Sequence, residues 1–122
     1  PTEIERTIEA VRMHHPGRRI TVIFQPHLYS RTRDQADEFA RALGQVDHLI
    51  LLPIYAARER PIPGVDSQWL FNKISGPHKE LLEPELIFGC LEMHPPEVLL
   101  TLGAGDIDRL VPDLTKWAER QG

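Results

Sequence analysis

Leu49-Ile50-Leu51-Leu52, set between His48 and Pro53, narrows the possible folds of this chain more than any other stretch. Side chains of a strand alternate between faces, so a strand that is apolar at every position has to be covered on both sides. That is the condition of a parallel sheet enclosed by helices. Ile20 to Phe24 and Val98 to Leu102 are short apolar strands of the same kind, and His78 to Leu82 is a weaker candidate.

Helical patterns separate these strands. Thr2 to His15 reads as a helix: Thr2 and Glu5 have capping-box spacing, Ile4, Ile8 and Val11 share a face, and Pro16-Gly17 stops it. Thr32 is placed to cap the next helix and Gln35 to close the box. Ala36, Phe39, Ala40 and Leu43 form its stripe, and Gly44 ends it. Ser67 to Ile74 is a short helix with Trp69 or Leu70 inward, broken at Gly76-Pro77. Pro84 suits the first turn of a helix reaching about Met93, and Pro95-Pro96 ends that helix. The last helix follows Gly103-Ala104-Gly105-Asp106 and runs to about Arg120, with a break expected near Pro112 and with Leu110, Leu114 and Trp117 inward. Strands alternating with helices through right-handed crossovers make an α/β fold, a three-layer Rossmann-like open sheet, mainly parallel, with helices on both faces. No repeat or boundary divides residues 1–122, so they form one domain.

This order of elements carries the loops after all four strands to one sheet edge, where α/β proteins bind ligands. Phe24 to Arg33 is the richest of these loops. His27, Tyr29, Ser30, Arg31 and Arg33 bring an imidazole, two hydroxyls and two guanidinium groups into seven residues. A guanidinium reads carboxylate or phosphate through a planar fork, so this loop is a candidate anion receptor. The competing reading is a solvated loop whose arginines pair with Asp34, Asp37 or Glu38, and Arg33, beside Asp34, is the weaker candidate. Gly103-Ala104-Gly105-Asp106 opens a helix on the same rim. Alone it is a weak Gly-x-Gly signal, and Asp106 reads equally well as an N-cap. Arg58 to Gly64 is either a rigid rim or an exposed proline-stiffened connection.

Net charge is −4 over 122 residues, which argues against general nucleic-acid binding. No apolar stretch approaches the ~20 residues of a membrane span, and no signal peptide is visible. The single cysteine, Cys90, reads as a small buried hydrophobe in a reducing compartment. There is no Gly-x-x-x-x-Gly-Lys-Ser/Thr segment to cradle ATP phosphates. His14 and His15 end a helix, where imidazolium favours the dipole. His48, His78 and His94 look scattered, without ligand spacing, so no metal site is expected. Ser30 and His27 are not a nucleophile–base pair, and no catalytic acid or base is expected. The first residue is Pro1 rather than methionine, as expected of a fragment.

Taken together, Pro1-Thr2-Glu3-Ile4, Val22-Ile23-Phe24-Gln25-Pro26-His27, Ser30-Arg31-Thr32-Arg33, Pro61-Ile62-Pro63-Gly64 and Leu100-Thr101-Leu102-Gly103-Ala104-Gly105-Asp106-Ile107 resemble the carboxy-terminal domain of the Mur ligases, in particular the alanine-adding branch. The resemblance implies a three-domain cytoplasmic bacterial enzyme of peptidoglycan synthesis. A first domain holds the UDP-sugar, a central domain holds ATP and Mg2+, and the present domain packs on the central one and closes over both. The implied reaction joins L-alanine to UDP-N-acetylmuramate through an acyl phosphate. By position, His27 and Arg31 bind the alanine carboxylate, with Arg33, Gly105 and Asp106 near the same substrate, and the fragment alone is inactive. Leu28 stands where many relatives carry arginine, and Arg58-Glu59-Arg60 replaces a commonly glycine- and acid-rich stretch. Two other readings stay open: a non-catalytic module that binds a small carboxylate ligand, and a Mur ligase that adds another amino acid.

Overall fold

A computed structural model describes residues 3–76 and 78–121. In chain order these form α1 (Glu3–His14), β1 (Ile20–Gln25), α2 (Tyr29–Leu43), β2 (His48–Leu51), α3 (Ser67–Lys73), β3 (His78–Leu81), a 3-10 turn (Pro84–Leu86), α4 (Ile87–Met93), β4 (Val98–Gly103) and α5 (Asp106–Gln121). Among the described residues the sheet has four strands in the order β3-β2-β1-β4, and every pairing is parallel.

The pleat divides the core into two. Val22, Phe24, Leu49 and Leu51 face α1, α2 and α3, meeting Ile8, Ala36, Leu43 and Leu70. Ile23, Ile50 and Leu52 face the opposite layer, meeting Ile87 and Leu91 of α4 and Ile107, Leu114 and Trp117 of α5. The uninterrupted aliphatic run is thus buried from both sides, as its composition requires: Leu49 to Leu52 are each 0% exposed. The three-layer α/β architecture is the one expected from the sequence.

Several local expectations need correction. The Thr2–Glu5 capping box rests on Thr2, and the break at Gly76-Pro77 rests partly on Pro77; both lie outside the described residues. Thr32 is not a cap. Helix α2 begins a turn earlier, at Tyr29, and the Thr32 hydroxyl donates 2.8 Å back to the Leu28 carbonyl. Gln35 closes no box; it accepts from Arg31 Nε at 3.3 Å. Gly44 ends α2 with an ordinary φ of −69°, so its role is steric: a Cβ there would lie 2.9 Å from the Ser75 carbonyl. Helix α3 starts at Ser67 as expected, and Asp66 caps it, accepting 2.8 Å from the Trp69 amide. Helix α5 is unbroken at Pro112. Proline costs a helix one hydrogen bond, but Ile107 ahead of it and Leu114 and Trp117 behind it are held in the same core, so packing carries the helix through.

The largest correction concerns the histidines. His48 and His78 are register partners, each opening its strand, and His94 caps the end of α4 beside them. Parallel pairing therefore gathers three side chains that look unrelated in sequence. Cys90 is buried as expected, but its thiol donates to Glu80 Oε2 at 2.9 Å. Burial, together with that carboxylate, pushes the thiol up to about 12, so it stays protonated at neutral pH.

Candidate functional site

Strand β1 sits in the middle of the sheet. Its chain departs through α2 toward β2 on one side, whereas β4 lies on the other. Where connections diverge in this way, the carboxyl ends of two neighbouring strands leave a crevice. Gln25 and Gly103, the last residues of β1 and β4, are paired across it. The crevice is a cavity of about 270 Å³, lined by Phe24, Gln25, Leu102 and Gly103 at the strand tips, by His27 and Arg31, and by Glu3 and Thr7 of α1. That volume is near the lower end of ligand pockets, which run from ~300 to 1,000 Å³.

His27 is fixed by its backbone neighbours. The Pro26 carbonyl accepts from the Tyr55 amide, and the Leu28 amide donates to the Tyr55 carbonyl, both at 2.9 Å. The His27 and Tyr55 rings stack with centroids 6.0 Å apart. Leu28 then takes φ 71°, a left-handed conformation uncommon for a branched side chain. It turns the chain sharply enough for α2 to start at Tyr29, which puts Arg31 in the first helical turn, facing the cavity. Arg31 is exposed and, among the described residues, pairs with no carboxylate; its Nε donates to Gln35. Arg33 behaves differently: it is exposed and its Nε lies 2.8 Å from Asp34 Oδ1. Asp37 is taken by Lys73 at 3.4 Å.

Gly105 and Asp106 stand behind the cavity wall. Gly105, at φ +118°, packs so closely on Tyr55 that a Cβ would lie 2.3 Å from the ring. Asp106 is the first residue of α5, not its cap, and accepts 3.1 Å from Gln25 Nε2. Gln25 is a site residue the sequence reading did not single out. It is 1% exposed and ties three loops together. Its amide nitrogen donates to the Pro53 carbonyl and to Asp106, and its oxygen accepts from the Ile107 amide at 2.9 Å. The available signal was a polar residue closing an otherwise apolar strand.

Glu59 is the second such residue. Its carboxylate accepts 2.9 Å from the Ser30 amide and also accepts from the Ser30 hydroxyl, so the 54–66 loop is fastened to the amino terminus of α2. These hydrogen bonds hold the Glu59 carboxyl below the usual carboxylate range. A depressed value means the contact stabilises above the ordinary range and is lost as pH falls through the depressed one. The Ser30 amide should therefore exchange with solvent faster, relative to its intrinsic rate, once acid has protonated Glu59 than at neutrality. Equal protection at both would show that Glu59 does not hold the loop.

Residues 1–105 match the family model described as "Mur ligase, glutamate ligase domain". The chain belongs to the Mur ligase family. Among Mur ligases it is 50% identical over 111 residues to a protein of Parabacteroides distasonis, a match covering 91% of this chain and 24% of that protein. It is 44% identical over 116 residues to one of Flavobacterium johnsoniae, covering 95% of this chain and 26% of the relative. A third relative, from Cytophaga hutchinsonii, is 44% identical over 121 residues, covering 99% and 26%. All three carry the name UDP-N-acetylmuramate–L-alanine ligase. The chain spans about a quarter of the length of these Mur ligases. Among the described residues, no helix is long and apolar enough to cross a membrane.

Proposed function

We propose that this chain is the closing domain of an ATP-dependent ligase that joins L-alanine to UDP-N-acetylmuramate in the bacterial cytoplasm, and that its part is to receive the amino acid. The observation that carries this reading is the meeting of His27 and Arg31 in one cavity at the β1/β4 crevice. The Arg31 guanidinium and the His27 imidazole take the alanine carboxylate, and Glu3, which lines the same cavity, suits its ammonium group. Gly105 and Asp106 act from behind, through Tyr55 and Gln25. Arg33, held by Asp34, contributes positive charge at the rim. Orientation is the whole contribution: an amine held in line with an activated carboxyl group gains several kcal/mol over a free encounter.

Among the described residues, three backbone amides at the starts of α2 and α5 are already taken. At α5 the Gly105 amide is occupied by Asp108 and the Ile107 amide by Gln25; at α2 the Ser30 amide is occupied by Glu59. We assign ATP and Mg2+ mainly to a central domain on which this one packs, closing over the ATP, and the UDP-sugar to a further domain.

The test is phosphate release by the full-length ligase supplied with UDP-N-acetylmuramate, ATP, Mg2+ and one amino acid at a time. Release with L-alanine, and much less with serine or glycine, is expected. A preference for another amino acid would reassign the substrate. No amino-acid-dependent release, with carboxylates still bound, would favour a non-catalytic binding module.

A further inference from the structure

At the end of the sheet opposite the cavity, four potential metal ligands meet on three elements. His48 opens β2, His78 opens β3 beside it, Glu80 follows two residues along β3 on the same face, and His94 ends α4. His48 Nε2 lies 2.6 Å and His78 Nε2 3.9 Å from the same Glu80 oxygen. One donor atom from each of His48, His78 and Glu80 lies within 4.8 Å of the others. We propose that His48, His78, Glu80 and His94 form a site for a divalent transition-metal ion of the zinc class.

The geometry favours one ion over a set of separate contacts. In a tetrahedral zinc site, bonds of ~2.0 Å place donor atoms ~3.3 Å apart and imidazole centroids ~5 Å apart. The donor separations of 2.6 and 3.9 Å bracket the first value. The centroid separations of 4.7, 5.6 and 5.1 Å among His48, His78 and His94 cluster at the second. An ion would take the place of the proton now shared by His48 and Glu80, and a turn of the His94 ring would complete the set. Behind Glu80, the Cys90 thiol donates to the same oxygen and fixes the carboxylate's direction, the usual duty of a group outside the ligand set. Access is open, since His78 and His94 are exposed and the three imidazoles line a hollow of about 100 Å³.

Ligand chemistry sets the class. Three imidazoles and one carboxylate suit zinc, nickel, cobalt or copper, whereas magnesium and calcium prefer all-oxygen sites. Arg19 also lines the hollow, with its charge engaged by Glu97 at 3.4 Å, and Asp47 lines it too. The role is that of a staple. Strand β3 is a four-residue edge strand with no fully buried residue, and an ion would fasten it to β2 and to the end of α4.

The experiment is a Co2+ titration of the 122-residue chain, read by the visible absorption of the bound ion. One Co2+ per chain is expected, displaced by Zn2+ and not by Mg2+, with a higher melting temperature in Zn2+. The double variant His78→Ala/His94→Ala changes two exposed residues and should keep the fold, checked by circular dichroism. It is expected to bind at least ~10-fold more weakly and to lose the Zn2+ effect on melting. His14→Ala/His15→Ala, at the end of α1, is expected to bind as the parent does. No visible band in the parent, equal affinity in the first variant, or loss confined to the second would each overturn the proposal.

Discussion

Arg31→Ala in the full-length ligase is expected to raise KM for L-alanine by roughly 10- to 100-fold, the value of a charge-assisted hydrogen bond to a carboxylate. The KM for ATP should stay where it is if Arg31 serves the amino acid rather than the nucleotide. A group that binds ground state and transition state alike raises KM and spares kcat, and this split separates a carboxylate receptor from a residue that organises the acyl transfer. Arg31→Lys should recover only part of the loss, since an ammonium lacks the planar fork. Arg31 is exposed, and its side chain donates to Gln35 on the same helix, so α2 has little structural need for it. Its removal should leave the melting temperature close to that of the parent. An unaltered alanine response would take Arg31 out of the site.

The largest effect on stability is expected from Gly103→Ala. Gly103 sits at φ +101°, and a Cβ there would lie 2.0 Å from the Gln25 carbonyl oxygen. That atom belongs to the backbone of the central strand, paired with Gly103 itself, so it cannot swing aside. The chain must either part β1 from β4 or change its turn, and we expect a loss of at least ~3 kcal/mol in urea or thermal unfolding. Gly17→Ala is the control. Its φ is also positive, +77°, but nothing lies within 4 Å, so it should show only the ~1 kcal/mol cost of the left-handed backbone. Equal, small losses for both would mean that the β1–β4 junction is more pliable than its geometry indicates. Alanine binding should weaken with Gly103→Ala as well, because Gln25, the tie among three loops, moves with the strand tip.

Much of this architecture is legible along the chain because it follows from local composition. The Leu49–Leu52 run demands cover on both faces, and Ala36, Phe39, Ala40 and Leu43 demand a helix with one apolar side. Element starts are less legible. Thr32 resembles a cap in sequence, yet the backbone bonds between Tyr55 and the segment Pro26–Leu28 bring the chain into helix one turn sooner. Pro112 resembles a break, yet core contacts on both sides of it hold α5 together. In each case a contact distant in sequence outweighed a local preference of about 1–3 kcal/mol.

For the site, residue chemistry pointed to the loop after β1, since imidazole and guanidinium groups at a strand's carboxyl end have few purely structural uses. Sequence already ranked Arg33 below Arg31, because Asp34 stands next to it. The structure agrees: Arg31 lines the cavity and Arg33 pairs with Asp34. Gln25 and Glu59 stayed hidden because their value lies in partners 28 to 82 residues away.

Residue order by itself determined the layered α/β plan and singled out the loop that we propose receives an anion, because hydrophobic period and side-chain chemistry are properties of neighbours in the chain. Only the tertiary structure decided the strand order β3-β2-β1-β4, and with it the crevice between β1 and β4 and the gathering of His48, His78 and His94. Strand order depends on which crossover packs on which face of the sheet, a balance of burial over the whole domain that no single segment encodes.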